Sequence, residues 1–341
     1  MPLSVRFRRL TVALLGAGGL AVSAAPSYAY SALYVFGDSL SDAGNVSAVS
    51  GGLVPPSPYV GGHFSNGPTW AEDLSLKLGL GQLLPSNEGG TDYAYGYATT
   101  SADIPRSSPV PLNLPIPNVE QQVAAYSAQH GNQADAAAIY AVWIGSNDVL
   151  NALAGLATGA LPADQLVAKL EDAVTSEVRA IGTLVQEGAK HVLVGLLPDL
   201  GLTPALNTTA PGAGTAIAQA YNSALEDATG SLFSGIDLKY LDTFGLLQSA
   251  VGNPSAYGFT NVTSPCLTAS SVCSDPDQHL FWDELHPTAA GHELIADLAL
   301  RTVSVTTVPL PSGAALFGVA IAVLGTLTTL TRSVRQRQLV S

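Results

Sequence analysis

Three short clusters in this 341-residue chain hold residue types that can carry out nucleophilic chemistry together. The apolar run Leu33-Tyr34-Val35-Phe36 ends in Gly37-Asp38-Ser39, which places a hydroxyl at the carboxyl end of a predicted strand. Open α/β sheets put their chemistry at that end. Far downstream, Asp283-Glu284-Leu285-His286-Pro287 supplies an imidazole able to take the serine proton. Asp283, three residues before His286, can reach the ring across one turn, fixing its tautomer and stabilising the imidazolium. Asn147, in Gly145-Ser146-Asn147-Asp148, offers an amide donor just past another apolar run, where an oxyanion contact belongs. Acyl transfer needs a nucleophile, a base, an orienting group and such donors. Each cluster alone has an ordinary explanation: a turn or helix-capping serine, a chance surface Asp-x-x-His, an Asx-turn. Their joint placement at the ends of apolar runs has none.

A scaffold must bring these parts together. Strand-type runs cover residues 32–37, 138–144, 190–196 and 236–241, with a weaker fifth at 93–99. Helical stretches fill the intervals, which is the βαβ pattern. The clearest helix spans 163–186, where Leu166, Leu170, Val174, Val178, Ile181 and Val185 mark one apolar face. A second spans about 215–233. A third is predicted to start at Pro287, a favoured first helical position, and to run to residue 300. Loops 51–68 and 105–117 are rich in Pro and Gly and fall where loops shape substrate access. Parallel strands covered by helices on both faces make a three-layer α/β/α sandwich. No linker divides residues 30–307, so a single domain is expected.

Charge narrows the partners. The formal net charge is −13, from 13 basic and 26 acidic residues. Arg6, Arg8 and Arg9 sit at one extreme end and Arg332, Arg335 and Arg337 at the other. Without them, seven basic residues face 26 acidic ones, net −19. So acidic a body repels phosphate backbones, which argues against a nucleic-acid partner.

Both ends read as addresses. Residues 1–29 combine three arginines, an apolar run from Leu10 to Ala25 and the small-x-small site Ser27-Tyr28-Ala29, the pattern of a secretory signal peptide. Residues 308–341 open with Val308-Pro309-Leu310-Pro311 and continue through an uncharged, mostly apolar stretch at 312–330 to the final arginines. That stretch has the length of one membrane span, and the arginines would keep its end cytoplasmic. The tail resembles bacterial PEP-CTERM sorting signals, although Val-Pro-Leu-Pro stands where Pro-Glu-Pro is usual. Cys266 and Cys273 are the only cysteines. In an exported chain such a loop pair is expected as a disulfide, contributing roughly 2–3 kcal/mol through chain entropy. Two free thiols are the alternative, and a four-thiolate zinc site lacks its further cysteines.

A metal reading also exists, because His279, Asp283, His286 and His292 fall within 14 residues. A helix starting at Pro287 would turn His292 away from His286, so no metal is expected and His292 is read as a solvated helix residue. His63 sits in a loop, and Trp70 and Trp282 are read as packing residues.

The run Gly37-Asp38-Ser39-Leu40-Ser41-Asp42-Ala43-Gly44-Asn45 resembles the first sequence block of the GDSL, or SGNH, esterases and lipases. Gly89-Gly90-Thr91-Asp92-Tyr93-Ala94-Tyr95-Gly96 is similar to their second block, Gly145-Ser146-Asn147-Asp148 to the third and Asp283-Glu284-Leu285-His286-Pro287 to the fifth. The spacers around Gly62-His63-Phe64-Ser65-Asn66-Gly67-Pro68 and Leu197-Pro198-Asp199-Leu200-Gly201 fit the branch holding lecithinase/haemolysin-like and plant GDSL lipases. The resemblance implies a flavodoxin-like, mostly parallel five-stranded sheet and an ester or lipid substrate. It makes Ser39 the nucleophile, with Asp283 and His286 as its partners. Asn147, the Ser39 amide and a block-two glycine would form the oxyanion hole. The chain has Gly96-Tyr97 where the family often has two glycines, and Gly96 is the expected donor. No cofactor is implied, and a monomer is expected. An acyltransferase using the same residues, or an envelope protein retaining the fold for binding, are the alternatives. Gly-x-Ser-x-Gly, the nucleophile elbow of α/β-hydrolases, is missing because Ser41 stands at its second glycine.

Overall fold

Four five-residue strands, β1 (Leu33–Gly37), β2 (Ile139–Trp143), β3 (His191–Gly195) and β4 (Asp237–Leu241), form one parallel sheet in that order. They come from a computed structural model that describes residues 30–101, 104 and 110–304. β1, β2 and β3 are mainly apolar because both faces of the sheet are covered there, and every residue of β2 is buried, whereas the edge strand β4 carries Asp237 and Lys239 and is half-buried. Register matters for the site. Gly37 pairs with Trp143, so β1 and β2 end level with each other. Ser39 and Asn147 therefore leave the sheet side by side.

The helices are α1 (Asn45–Val49), α2 (Trp70–Lys77), α3 (Val119–Gln129), α4 (Ser146–Thr158), α5 (Leu166–Glu187), α6 (Pro211–Leu232), α7 (Thr243–Gly252) and α8 (Ala289–Ser304). Alternate strand residues point to opposite faces. Phe36, Tyr140, Val142, Val192 and Val194 pack with α3, α5 and α6, through Tyr126, Ile181, Leu184 and Leu225. Val35, Ala141, Trp143 and Leu193 pack with α2 and α8, through Trp70, Leu74, Ile295 and Ala299. Those two cores make the three layers. A fully buried side chain such as Ile181 should cost about 2–5 kcal/mol on truncation to Ala.

The sheet has four regular strands rather than the five expected. The stretch 93–99 is not one of them. It runs beside β1 for a few residues: Val35 N–H donates to the Thr91 carbonyl, and the Tyr93 and Tyr95 amides donate to Val35 and Gly37. It then breaks off, because Tyr97 takes a left-handed φ of 65° that no strand accommodates. This segment occupies the edge next to β1, where the second strand of a flavodoxin-like order lies.

Helix starts also shift from expectation. Residues 163–165 form a separate 3-10 turn ahead of α5, and α6 begins at Pro211 rather than near 215. α8 begins at Ala289 and not at Pro287, because Phe281 and Pro287 form a bridge and Thr288 accepts from the Gly291 amide. A satellite core of Leu247, Ala250, Phe259, Val262, Leu280 and Phe281 supports the long segment between α7 and α8. Cys266 and Cys273 are joined by a disulfide there, and the Cys266 amide donates to the Phe281 carbonyl. The expected signal peptide at 1–29 and the tail at 308–341 lie outside the described residues. Among the described residues no helix is long and apolar enough to cross a membrane.

Candidate active site

At the end of β1 the chain turns sharply. The Asp38 carbonyl accepts from the amides of Ser41 and Asp42, and the Asp38 carboxylate accepts from Leu40 N–H at 3.0 Å. Gly37 is required at the start of the turn, since a Cβ there would lie 2.3 Å from the Trp143 carbonyl oxygen. The buried Gln122 amide pairs with both Gly37 main-chain groups, at 2.9 and 2.8 Å, satisfying the Gly37 N–H and joining the Tyr95 amide as a second donor to the Gly37 carbonyl. The turn presents Ser39 Oγ away from the core.

Ser39 Oγ lies 2.7 Å from His286 Nε2, and His286 Nδ1 lies 2.7 Å from Asp283 Oδ2. With Nδ1–H donating to the carboxylate, Nε2 is left to accept the Ser39 hydroxyl proton, the tautomer that this network selects. Asp283 Oδ1 accepts from the backbone amides of Leu285 and His286, at 2.8 and 2.7 Å. The Trp282 amide donates to the His286 carbonyl and closes the loop. The Tyr59 hydroxyl, from the loop between α1 and α2, donates to Asp283 Oδ2 at 2.7 Å. Phe64 lies over the imidazole at 5.5 Å between ring centres.

The electrostatics follow from burial and pairing. Burial pushes Asp283 up, but the charge and hydrogen bonds of His286 and the Tyr59 hydroxyl outweigh it and hold the carboxyl well below its ordinary range. Burial pushes His286 down, yet the charge and hydrogen bond of Asp283, with Asp38 behind it, leave its pKa above the ordinary histidine value. Burial raises Asp38 to about 6, against the opposing Leu40 amide and His286.

Asn147 sits in the first turn of α4, after a left-handed Gly145 (φ 108°) where a Cβ would meet the Tyr221 hydroxyl at 2.6 Å. Its Nδ2 donates to the Ala98 carbonyl at 2.8 Å, which fixes the amide plane and leaves a second N–H to donate. Gly96 does not serve as expected. Its N–H donates to the buried Asp42 carboxylate at 2.8 Å, so it is committed away from Ser39. The neighbouring Tyr97 lines the cleft over Ser39, together with Pro55, Pro56, Tyr59, Phe64 and His286.

Sequence reasoning missed Tyr59, Asp42 and Asp92. Asp42 accepts from the amides of Gly44, Asn45, Val46 and Gly96, and Asp92 from those of Ala43 and Ala94. Asn45 links the two by donating to the Asp92 and Ala94 carbonyls. These buried acids strap the loop after Ser39 to the irregular edge segment. An Asp three residues before a short helix was a legible capping signal. Tyr59 had no signal at all.

The histidines set aside for a metal do not gather, and among the described residues no three His, Cys, Asp or Glu side chains are placed to hold an ion. His292 is buried rather than solvated. Its Nδ1 accepts from Trp70 N–H at 3.3 Å, and burial, with His286 and His63 nearby, pushes its pKa down to about 3. Neutral His292 thus caps α2 from α8. His63 pairs with Glu72 at 3.1 Å. Trp70 packs edge-on against Trp143, and Trp282 packs edge-on against Tyr59.

A three-layer α/β fold with serine, histidine and aspartate in line at the strand ends defines the architecture of a serine-hydrolase-type protein. The model of the GDSL-like Lipase/Acylhydrolase family matches residues 33–299, and the chain belongs to that family. It is 27% identical to "Lipase 1" of Photorhabdus luminescens over 83% of this chain and 51% of that protein. It is 30% identical to an Arabidopsis thaliana "GDSL esterase/lipase", over 77% of this chain and 85% of that one. It is also 29% identical to the "Phosphatidylcholine-sterol acyltransferase" of Aeromonas hydrophila, over 76% and 73% of the two chains. The chain spans about half the length of the first two curated relatives it matches.

Proposed function

We propose that the chain hydrolyses carboxylic esters through an acyl-serine intermediate. The observation that carries this is the unbroken line from Ser39 Oγ through His286 to Asp283, two contacts of 2.7 Å each. Ser39 Oγ attacks the ester carbonyl carbon while its proton passes to His286 Nε2. Asp283 steadies the imidazolium so formed. The carbonyl oxygen gains the negative charge and is met by the Ser39 amide, the second N–H of Asn147 and a block-two amide. Collapse expels the alcohol, which takes the proton from His286, and water repeats the cycle to free the acid.

The test is covalent labelling. An alkyl fluorophosphonate should modify Ser39, located by peptide mass, and inactivate the protein in step. Ser39→Ala and His286→Ala should each lose at least ~10³-fold in ester turnover, because triad members act as a unit, with Asp283→Ala losing less. A Ser39→Ala protein with unchanged turnover on every ester would sink the assignment. The name of the Aeromonas relative favours a second reading, acyl transfer to an alcohol acceptor, which would show as ester formation when glycerol competes with water.

Export and tethering complete the reading. Residues 30–307 would be the catalytic domain, delivered by 1–29 and held at the membrane by 308–341. Nineteen residues at 312–330 span roughly 28 Å as a helix, close to the ~30 Å hydrocarbon core. A chain ending at Thr307 should be soluble and fully active, while the uncleaved chain should fractionate with membranes. Solubility of the intact chain without detergent would overturn the anchor.

A further inference from the structure

The loop that carries His286 is met by a segment from another part of the chain, the residues that lead from α1 into α2. Three consecutive side chains there meet the loop in step. Phe64 lies over the His286 ring, 5.5 Å between centres. Ser65 Oγ donates to the Pro287 carbonyl at 2.8 Å. Asn66 Oδ1 accepts from the Ala289 amide at 2.7 Å. Gly67 follows, and a Cβ there would lie 2.8 Å from that of Ala289, so the two chains approach as closely as glycine allows.

The same segment also touches the nucleophile's side. Trp70 Nε1 donates at 3.1 Å to the hydroxyl of Ser41, in the turn that carries Ser39. The Phe64 ring leaves no room for a side chain on Gly96, where a Cβ would run into it. Gly96 is in turn bonded to Asp42, in the loop after Ser39. Glu72 ties the segment off. Its Oε2 accepts from the Thr69 amide and hydroxyl, at 2.7 and 3.0 Å, and pairs with His63 Nε2 at 3.1 Å. Residues 63 and 69 are thus drawn to a single oxygen.

The bonds that join Asp283 to His286 are local and move with the loop. They cannot set how far Nε2 stands from Ser39. That distance depends on what holds the loop to the rest of the protein. A long-range bond runs from the Ala205 amide to the Glu284 carbonyl, ahead of the histidine. Behind it, α8 opens at Ala289, and the first amides of a helix find no acceptor inside it. Thr288 Oγ1 meets the Gly291 amide at 3.2 Å, while Asn66 supplies the acceptor for Ala289. Ser65 fixes the residue between histidine and helix.

We propose that Ser65 and Asn66 are positioning residues of this centre, which fix Pro287 and the start of α8 and so set the reach of His286 Nε2 to Ser39 Oγ. The proposal rests on the esterase reading above. Neither residue lines the cleft over Ser39, so substrate binding should change little when they are removed.

The experiment measures kcat, KM and thermal midpoint for wild type, Ser65→Ala, Asn66→Ala, Asn66→Asp and Ser75→Ala on one aryl ester. Activity is referred to folded protein, counted by circular dichroism. Ser65→Ala and Asn66→Ala should each lower kcat roughly 10- to 100-fold with KM within about twofold, the scale of a displacement near one ångström. Asn66→Asp keeps an acceptor at a helix start, where negative charge is favoured, and should hold kcat within about threefold. Ser75 is the control, because its buried hydroxyl donates to the Gly81 carbonyl at 2.8 Å, the same kind of bond that Ser65 makes. Ser75→Ala should lower the thermal midpoint and leave kcat unchanged. If Asn66→Ala fails to fold, Ser65→Ala decides alone. Full kcat per folded molecule in the alanine variants, or an equal fall in Ser75→Ala, would overturn the positioning role and leave the esterase standing. An Asn66→Asp variant as impaired as Asn66→Ala would overturn the part given to Asn66. A wild type without Ser39-dependent turnover on any ester would remove the esterase reading, and the positioning role with it.

Discussion

The Tyr59 hydroxyl donates to the same oxygen of Asp283, Oδ2, that receives His286 Nδ1–H, at 2.7 Å in each case. The carboxylate is thus shared between the histidine it orients and a tyrosine 224 residues away in sequence. Tyr59→Phe should lower kcat/KM by roughly tenfold, the scale of one hydrogen bond to a charged group. It should also move the acid limb of the pH profile upward. Losing one donor leaves Asp283 more basic and strengthens its hold on the imidazolium. A uniform loss of activity with an unshifted limb would reduce Tyr59 to a packing role.

His286 must be neutral to accept the Ser39 proton, and its pKa lies above the ordinary value of about 6.5. Activity should therefore fall as pH drops through a midpoint above that value. Measuring kcat/KM from acid to neutral pH, with folding checked by circular dichroism, tests this. Full activity near pH 4 in folded protein would rule out a histidine base.

Glu177 is fully buried on α5, with one oxygen accepting from the Tyr221 hydroxyl at 2.8 Å and the other unpaired. Burial raises its pKa well above the usual carboxyl value. A group with a raised folded pKa lends stability below its unfolded pKa and loses it as pH climbs to the folded one. Glu177→Gln keeps an acceptor for Tyr221 and cannot ionise. The variant should gain stability over wild type between pH 5 and pH 8 in urea denaturation. An equal difference at both values would mean that the folded-state pKa is not raised above that range, so that Glu177 is ionised in folded and unfolded chains alike.

The Cys266 amide bonds to Phe281, and the Leu267 amide to Trp282, just before Asp283. Reduction, or Cys273→Ser, should cost roughly 2–3 kcal/mol by denaturation and destabilise the histidine loop with it. Peptide mass without reductant should find the two cysteines linked.

The legible parts were those carried by local chemistry. Four apolar runs became strands within a residue of their expected bounds, since an apolar run of that length has few other ways to be buried on both faces. Ser39, His286 and Asp283 came together because strand ends and a one-turn spacing determine where such side chains point. What sequence hid was set by long-range pairing. The 93–99 run has strand composition, but the Asp42 carboxylate draws the Gly96 amide inward and ends the strand early. His292 lies on a helix whose buried face is decided by α2, and nothing near it in sequence says that Trp70 donates to it. Tyr59 belongs to a proline-rich loop without periodicity, so its contact with Asp283 could only be seen in three dimensions.

Asp283 binds the amides of Leu285 and His286 with one oxygen and the imidazole with the other, so acid and base form a single rigid clip within four residues. Any displacement of that loop moves both together. The Asp283 contact would travel with the imidazole, whereas the burial that lowers its proton affinity and the Asp38 charge that raises it belong to the docked position alone. The quantity that switches this centre on or off is the single gap between His286 Nε2 and Ser39 Oγ.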